Sequence, residues 1–354
     1  MTARRACRIP RMSRPPIPAP NRRHALAAIL GASLSPSAVL ASGSAGTSVA
    51  DAVDRAFRPL MQAHAIPGMA VGVVANGIRH FFHYGVASRE SGAPVSQDTL
   101  FEAGSLSKTF TATLAGYAQA LGRLSLADTP GRFVPALRGS AIDRATLLQL
   151  GTYTAGGLPL QFPDPVRADS VIDYYRQFVP DAGPGAQRRY SNPSIGLLGH
   201  ATAAALRGDF TRISETRLFP GLGLRNTFIR VPARSMPAYA WGYDKADRPV
   251  RVNPGVFDAE AYGVKSTIVD MLAFVEANLD PARLAQPMRR AVELTHAGHY
   301  RAGELVQGLG WEQYPWPVAL DRLQAGNAAT MALDPHPAQA LVPPRMPAPD
   351  TLFN

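Results

Sequence analysis

The sequence predicts an α+β fold: an antiparallel sheet flanked by helices and formed by both chain ends, with an all-helical domain between them. Three observations predict it. A hairpin pattern lies early, at residues 69–84. The middle of the chain is patterned for helices joined by Pro- and Gly-rich connections. A strand pattern then returns late, near Gly308-Leu309-Gly310-Trp311.

The chain opens on an address rather than on structure. Residues 1–41 hold seven arginines and no acidic residue ahead of an apolar stretch from Ala25 to Leu40, and Val39-Leu40-Ala41 offers a small-residue cleavage site before Ser42. Asn21-Arg22-Arg23-His24-Ala25-Leu26 has the outline of a twin-arginine signal, and general secretory export fits as well. Ser33, Ser35, Pro36 and Ser37 interrupt the apolar stretch and argue against a retained membrane anchor. The signal also explains the charge. The whole chain carries 36 basic and 26 acidic side chains, and the remainder after residue 41 carries 29 against 26. Its arginines are scattered, without the basic stripe and motif of a nucleic-acid surface. The single cysteine, Cys7, lies in the signal, so the rest has no disulfide, no thiolate metal site and no Cys nucleophile.

After the signal, Ser48 to His64 keeps Val53, Phe57 and Leu60/Met61 on one helical face. Residues 69–75 and 78–84 then alternate as strands around Asn76-Gly77, the pair that a type I′ turn favours. A helix is predicted from Ser105 to Leu121, with Gly122 as its stop. From Leu124 to Gly208 the clearest helices are Ser170 to Phe178 and Ser194 to Leu206. Residues 215–260 are expected to form a long structured loop, and Ala261 to Leu279 a helix. Pro335 to Pro349 holds six prolines in fifteen residues, so little regular structure is expected there. The catalytic domain would span residues 42–354, its α/β part at about 42–125 and 245–354 and its helical part at about 126–244.

The chemistry is concentrated in two motifs. Ser105-Leu106-Ser107-Lys108 places a hydroxyl and an amine three residues apart, on one helical face. A helix N-terminus favours negative charge beside the serine Oγ. A lysine amine partly removed from water can lose its proton or hold the proton network that activates that hydroxyl. Tyr190-Ser191-Asn192 supplies a phenol able to pass protons to a leaving nitrogen or from a water, and an amide to bind substrate. The bland alternatives are an exposed surface lysine, a partly buried aromatic at Tyr190, and an N-cap at Asn192 for a helix beginning near Pro193. Other chemistries fare worse. The chain has no Gly-x-Ser-x-Gly elbow and no phosphate loop. His80 and His83 are expected on opposite faces of a strand, and His296 and His299 are separated by Gly298 with no carboxylate following nearby.

These motifs lie in longer blocks that resemble class C β-lactamases. The blocks are Ile66 to Val71 (IPGMAV), Phe101 to Phe110 (FEAGSLSKTF), Leu150 to Gln161 (LGTYTAGGLPLQ), Tyr190 to Gly199 (YSNPSIGLLG), Asp258 to Thr267 (DAEAYGVKST) and Gly308 to Trp311 (GLGW). The resemblance runs from about Val49 to the last residue. It implies the β-lactamase/transpeptidase-like fold and a serine hydrolase that opens the β-lactam ring of cephalosporins and penicillins. Ser105 is implied as the acylated nucleophile, whose backbone N–H serves the oxyanion, with Lys108 as its proton partner and Tyr190 serving acylation and deacylation. Asn192 and Gln161 are implied to bind the substrate's side-chain amide, and Tyr262 to wall the pocket. No metal and no cofactor are implied. The protein would be a periplasmic monomer of a Gram-negative bacterium, with a small-molecule β-lactam as its partner, no nucleic acid, and no stable membrane association once the signal is removed.

One feature departs from that pattern. The family's third motif, a Lys-Thr-Gly strand, follows a segment like Thr351-Leu352-Phe353-Asn354, and no lysine follows Lys265 here. The expectation is therefore a chain truncated before that motif, its C-terminal strands and helix missing, that folds poorly and hydrolyses β-lactams hardly at all. The loss of one oxyanion donor costs about 10²–10³ in rate. Two other readings share the motifs: a penicillin-recognising DD-peptidase or esterase, and a non-catalytic penicillin-binding remnant.

Overall fold

Residues 48–354 are described by the computed structural model, and the predicted export signal at 1–41 lies outside them. Ser48 caps α1 (Val49–Ala63) by accepting a hydrogen bond from the Asp51 N–H. β1 (Gly68–Ala75) and β2 (Ile78–Gly85) pair without a break from Gly68↔Gly85 to Ala75↔Ile78. Between them Asn76 at φ 53° and Gly77 at φ 76° supply the two left-handed residues of the predicted turn.

The central element is α2 (Ser107–Ala120), entered through a 3₁₀ turn at Gly104–Leu106. It is buried on two sides, because its small and large residues divide between two cores. Ala112, Ala115 and Ala118 join Leu150, Leu197 and Leu198 in one. Phe110 and Leu114 join Phe219, Phe274 and Val292 in the other, with the Phe110 and Phe274 rings 4.4 Å apart. Gly116 lets a second helix approach closely, since a Cβ there would lie 2.6 Å from the Ala291 carbonyl oxygen.

Beyond α2 the chain forms α3 (Leu147–Gly151), α4 (Val171–Arg176), β4 (Gln187–Arg188), α5 (Asn192–Ala205) and α6 (Phe210–Ile213). α5 starts two residues earlier than the expected Ser194. Ser191 rather than Asn192 is its cap, accepting from the Ser194 N–H, and this frees the Asn192 side chain. The predicted loop at 215–260 holds α7 (Phe219–Gly221), a 3₁₀ turn at Ala233–Ala238, and β5 (Gly242–Tyr243) paired with β6 (Pro249–Val250).

The helix expected over Ala261–Leu279 is interrupted. α8 (Asp258–Ala261) stops before Tyr262, and β7 (Lys265–Ser266) pairs with β3 (Phe101–Glu102) before α9 (Ile268–Leu279) begins on its Thr267 cap. Tertiary hydrogen bonds override the local pattern here. Val264 N–H donates to Ser107 Oγ at 3.0 Å, and the Val264 carbonyl accepts from Ala103 N–H at 2.9 Å.

After α10 (Met288–Thr295), the late strands form one antiparallel sheet. β8 (Gly298–Ala302), β9 (Leu305–Gly308) and β10 (Glu312–Pro315) are followed by α11 (Leu320–Gly326), α12 (Ala329–Leu333), β11 (His336–Pro337), β12 (Gln339–Arg345) and β13 (Thr351–Phe353). The sheet order is β12-β8-β9-β10-β13, and β11 pairs with β4. The strand expected near Gly308 is β9, which ends at that residue, and Leu309–Trp311 is the turn into β10, with Gly310 at φ 78°. The proline-rich tail is more ordered than its composition suggests. β12 carries Pro343 and Pro344 because it is an edge strand, and its register with β8 shifts between Ala340 and Arg345.

Antiparallel strands come from both chain ends and are flanked by helices, as expected, and they form separate ladders. Among the described residues, β1 and β2 pair only with each other. α9 covers one face of the hairpin so closely that a Cβ at Gly72 would sit 3.2 Å from Ile268. No described helix is long and apolar enough to cross a membrane.

Candidate active site

Ser105 sits exposed on the 3₁₀ turn, and Lys108 is buried in the first turn of α2, 1 % exposed. The Lys108 Nζ donates to Ser105 Oγ at 3.0 Å and to the Ala261 carbonyl at 2.8 Å. A hydroxyl open to solvent is thus joined to an amine shielded from it. The helix start is held in shape by Thr109 Oγ1, which donates to the Leu106 carbonyl at 2.7 Å. Thr111 Oγ1 donates to the Glu260 carbonyl at 2.6 Å and fixes the end of α8 that presents Ala261. The exposed surface lysine considered above is therefore not what the fold makes of Lys108.

Tyr190 completes the cluster from the segment between β4 and α5. It is 7 % exposed, and its ring centroid lies 4.9 Å from the Lys108 Nζ. Its other neighbour is Tyr153, with centroids 5.0 Å apart at 52°. Ser105, Lys108 and Tyr190, 85 residues apart at the extremes of the sequence pattern, meet at one point of the fold.

Asn192 and Gln161 form a second pair beside it. Asn192 Nδ2 donates to the Gln161 Oε1 at 2.8 Å, and the Asn192 backbone N–H donates to the Leu160 carbonyl at 2.9 Å. Asn192 Oδ1 is buried with no hydrogen-bond partner, whereas Gln161 is exposed. A buried acceptor without a donor costs free energy unless something else supplies one. Tyr262 follows Ala261 directly and is half-buried. Burial first, and Asp258 second, raise its phenol above the usual tyrosine range. Gly255 gives that phenol room, since a Cβ there would lie 2.6 Å from the Tyr262 hydroxyl.

Sequence reasoning missed three neighbours. Lys265 is a second buried lysine, donating to the Ile229 carbonyl at 3.2 Å and the Gly263 carbonyl at 2.9 Å. Burial lowers its pKa while Glu102 opposes the shift. Glu260, 7 % exposed, is pushed up to about 7, chiefly by burial. Tyr153 adopts φ 62°, a left-handed conformation uncommon outside glycine. Only the first two had a signal, as charged residues inside the apolar block DAEAYGVKST. His296 and His299 do not converge. His296 Nε2 meets Asn278 Oδ1 at 2.9 Å, His299 lies on β8, and burial lowers both to about 4. Among the described residues no group of three or more His, Cys, Asp or Glu side chains could hold a metal ion.

Comparison with known proteins places the chain among relatives of known family. Residues 53–338 match the family model for beta-lactamase. The chain is 50% identical to a beta-lactamase of Pseudomonas fluorescens over 309 residues, covering 87% of this chain and 86% of the relative. It is 45% identical to a beta-lactamase of Lysobacter lactamgenus, over 87% of this chain and 80% of that one. Among solved structures, a class C beta-lactamase in complex with cefoxitin superposes with a TM-score of 0.82 at 42% identity, over 85% of this chain and 84% of its own. A D-alanine carboxypeptidase from Burkholderia cenocepacia superposes with a TM-score of 0.80 at 49% identity, over 85% and 84%. With the expected fold and this degree of identity, the chain belongs to the beta-lactamase family, in its class C branch.

Proposed function

We propose that this protein opens β-lactam rings through an acyl-enzyme on Ser105. The observation that carries the reading is the 3.0 Å hydrogen bond from a buried Lys108 amine to an exposed Ser105 hydroxyl. Lys108, when neutral, takes the Ser105 proton as Oγ attacks the lactam carbonyl carbon. The Ser105 backbone N–H donates to the developing oxyanion. Tyr190, next to Lys108, delivers a proton to the lactam nitrogen as the C–N bond breaks, which leaves an ester on Ser105. Water then attacks that ester and gives a proton to the Tyr190 phenolate, and Lys108 returns its proton to the leaving Ser105 Oγ, which restores all three groups and frees the ring-opened acid.

The second pair orients the substrate. Asn192 and Gln161, joined by the 2.8 Å hydrogen bond from Nδ2 to Oε1, bind the substrate's side-chain amide. Tyr262 forms the facing wall. In this reading the α/β part at about 42–125 and 245–354 carries Ser105 and Tyr262, and the helical part at about 126–244 carries Tyr190, Asn192 and Gln161. Cephalosporins are the first substrates to test, because one structural neighbour is a class C beta-lactamase in complex with cefoxitin. The protein acts as a periplasmic monomer free of the membrane.

A second reading has a specific basis, since two neighbours carry D-alanine carboxypeptidase in their names. The test is hydrolysis of a chromogenic cephalosporin and release of D-alanine from a D-Ala-D-Ala peptide by the same preparation, each repeated with Ser105→Ala. Cephalosporin turnover that Ser105→Ala lowers by about 10⁴ or more supports the proposal. D-alanine release without cephalosporin turnover would favour the peptidase, and turnover unchanged in Ser105→Ala would refute both.

A further inference from the structure

We propose that Tyr153 is a positioning residue for Tyr190, itself held by Arg188, and that this stack sets how Tyr190 transfers protons. The inference rests on the role given to Tyr190 above. Four groups stand in a row: the Arg188 guanidinium, the Tyr153 ring, the Tyr190 ring and the Lys108 ammonium. Arg188 Cζ lies 5.6 Å from the Tyr153 centroid, the two tyrosine rings are 5.0 Å apart, and the Lys108 Nζ lies 4.9 Å from the Tyr190 centroid. The Arg188 cation at one outer face of the ring pair is attracted by the ring's negative face, and with the Lys108 Nζ against the other it resists sliding of the stack.

Each outer member is fixed from elsewhere. Arg188 is fully buried, yet every direction of its fork is used. Nε donates to the Gln307 Oε1 at 2.6 Å, Nη1 to the Met331 carbonyl at 3.0 Å, and Nη2 pairs with Glu312. The planar fork is thereby locked to β9, β10 and α12, in the sheet on the far side of the chain. Tyr153 is held by its backbone. It lies at φ 62°, its carbonyl accepts from Arg189 N–H at 3.0 Å, and the next residue bonds Gln149 and Gly185 at 2.8 and 2.7 Å. A left-handed conformation at a bulky residue persists only where its surroundings over-determine it, and such residues cluster at functional sites. Here the unusual backbone turns an aromatic ring onto the face of Tyr190, where a residue with ordinary φ would direct it elsewhere. The sheet thus reaches the proton-transfer group through two side chains, Arg188 and Tyr153.

The test compares Tyr153→Asn, Tyr153→Phe and Tyr190→Phe in the full chain, by kcat, KM, the pH profile of kcat and thermal melting. Asn tolerates the left-handed backbone, so Y153N removes the ring with the least disturbance of folding. The expected result for Y153N is kcat lowered about tenfold or more, KM within about twofold, and a pH profile of kcat displaced from that of wild type. Y153F keeps the ring and is expected to retain most of kcat and the wild-type profile. Should Y153N fail to fold, Tyr153→Leu is the alternative ring-less variant. Wild-type kcat and profile in the ring-less variant would overturn the inference, and so would a Y153F as impaired as Y153N. A Tyr190→Phe with undiminished turnover would instead remove the underlying role of Tyr190, which separates the two failures.

Discussion

Two buried lysines lie within reach of the same helix end, and only one of them is placed for chemistry. Lys108 is 1 % exposed and Lys265 is 8 % exposed. Both give hydrogen bonds to backbone carbonyls next to α8: Lys108 to Ala261 at 2.8 Å, Lys265 to Gly263 at 2.9 Å. Lys108 also reaches the hydroxyl of an exposed serine, whereas the Lys265 bonds are to backbone oxygens alone. The difference teaches that burial of an amine does not make a catalytic site. A reactive partner that solvent and substrate can reach does. Lys265 ties the Ile229 segment to the turn after α8, and so belongs to the frame that presents Ala261.

The largest expected effect breaks the pair on the Lys108 side. Lys108→Met should lower cephalosporin turnover by about 10³ or more with the fold retained, as read by steady-state rates and circular dichroism. Turnover within tenfold of wild type would remove Lys108 from the mechanism.

Glu260 sharpens the comparison, being a buried acid in the same frame. Its folded pKa of about 7 is raised above the unfolded carboxylate value near 4.5. The neutral form is the one burial tolerates, so its contribution to stability is present below pH 4.5 and is lost as pH rises through 7. Glu260→Gln should therefore stabilise the protein at pH 8 by on the order of 2–3 kcal/mol and change little at pH 4.5. His296 and His299 act in the opposite sense. Burial depresses both to about 4, so their contribution is present above pH 6.5 and lost as pH falls toward 4. Denaturant unfolding of wild type and E260Q at the two pH values checks the sign, and an equal effect at both would contradict it.

The smallest effect is on the other lysine. Lys265→Met relieves a desolvated charge but leaves the Ile229 and Gly263 carbonyls without their donor. Stability should move by no more than about 1 kcal/mol and turnover by no more than about threefold. A thousandfold loss of activity would erase the distinction drawn between the two amines.

Local patterns carried much of the fold. The hairpin was legible because Asn76-Gly77 dictates its turn, and the Ser105–Lys108 pairing because spacing of three on a helix brings side chains together. What the sequence hid depends on partners distant in the chain. The strand at Lys265–Ser266 is two residues long and exists only because Phe101–Glu102 lies beside it. The order of Gln339–Arg345 depends on its place at a sheet edge, where two prolines do no harm. Arg188 was one of many scattered arginines in the sequence, yet it is fully buried through contacts with Gln307, Glu312 and Met331, more than a hundred residues away. Tyr153 gave no sign of its left-handed backbone, because nothing in its residue type calls for one.

The central claim is that Ser105 is the nucleophile and that the Lys108–Tyr190 pair serves it. Its most direct test is to quench the protein with a slowly hydrolysed cephalosporin, digest it with pepsin and locate the added mass. The account predicts one adduct, on the peptide containing Ser105, formed much more slowly in Lys108→Met and absent from Ser105→Ala. An adduct on any other residue, or one that persists in Ser105→Ala, would contradict it.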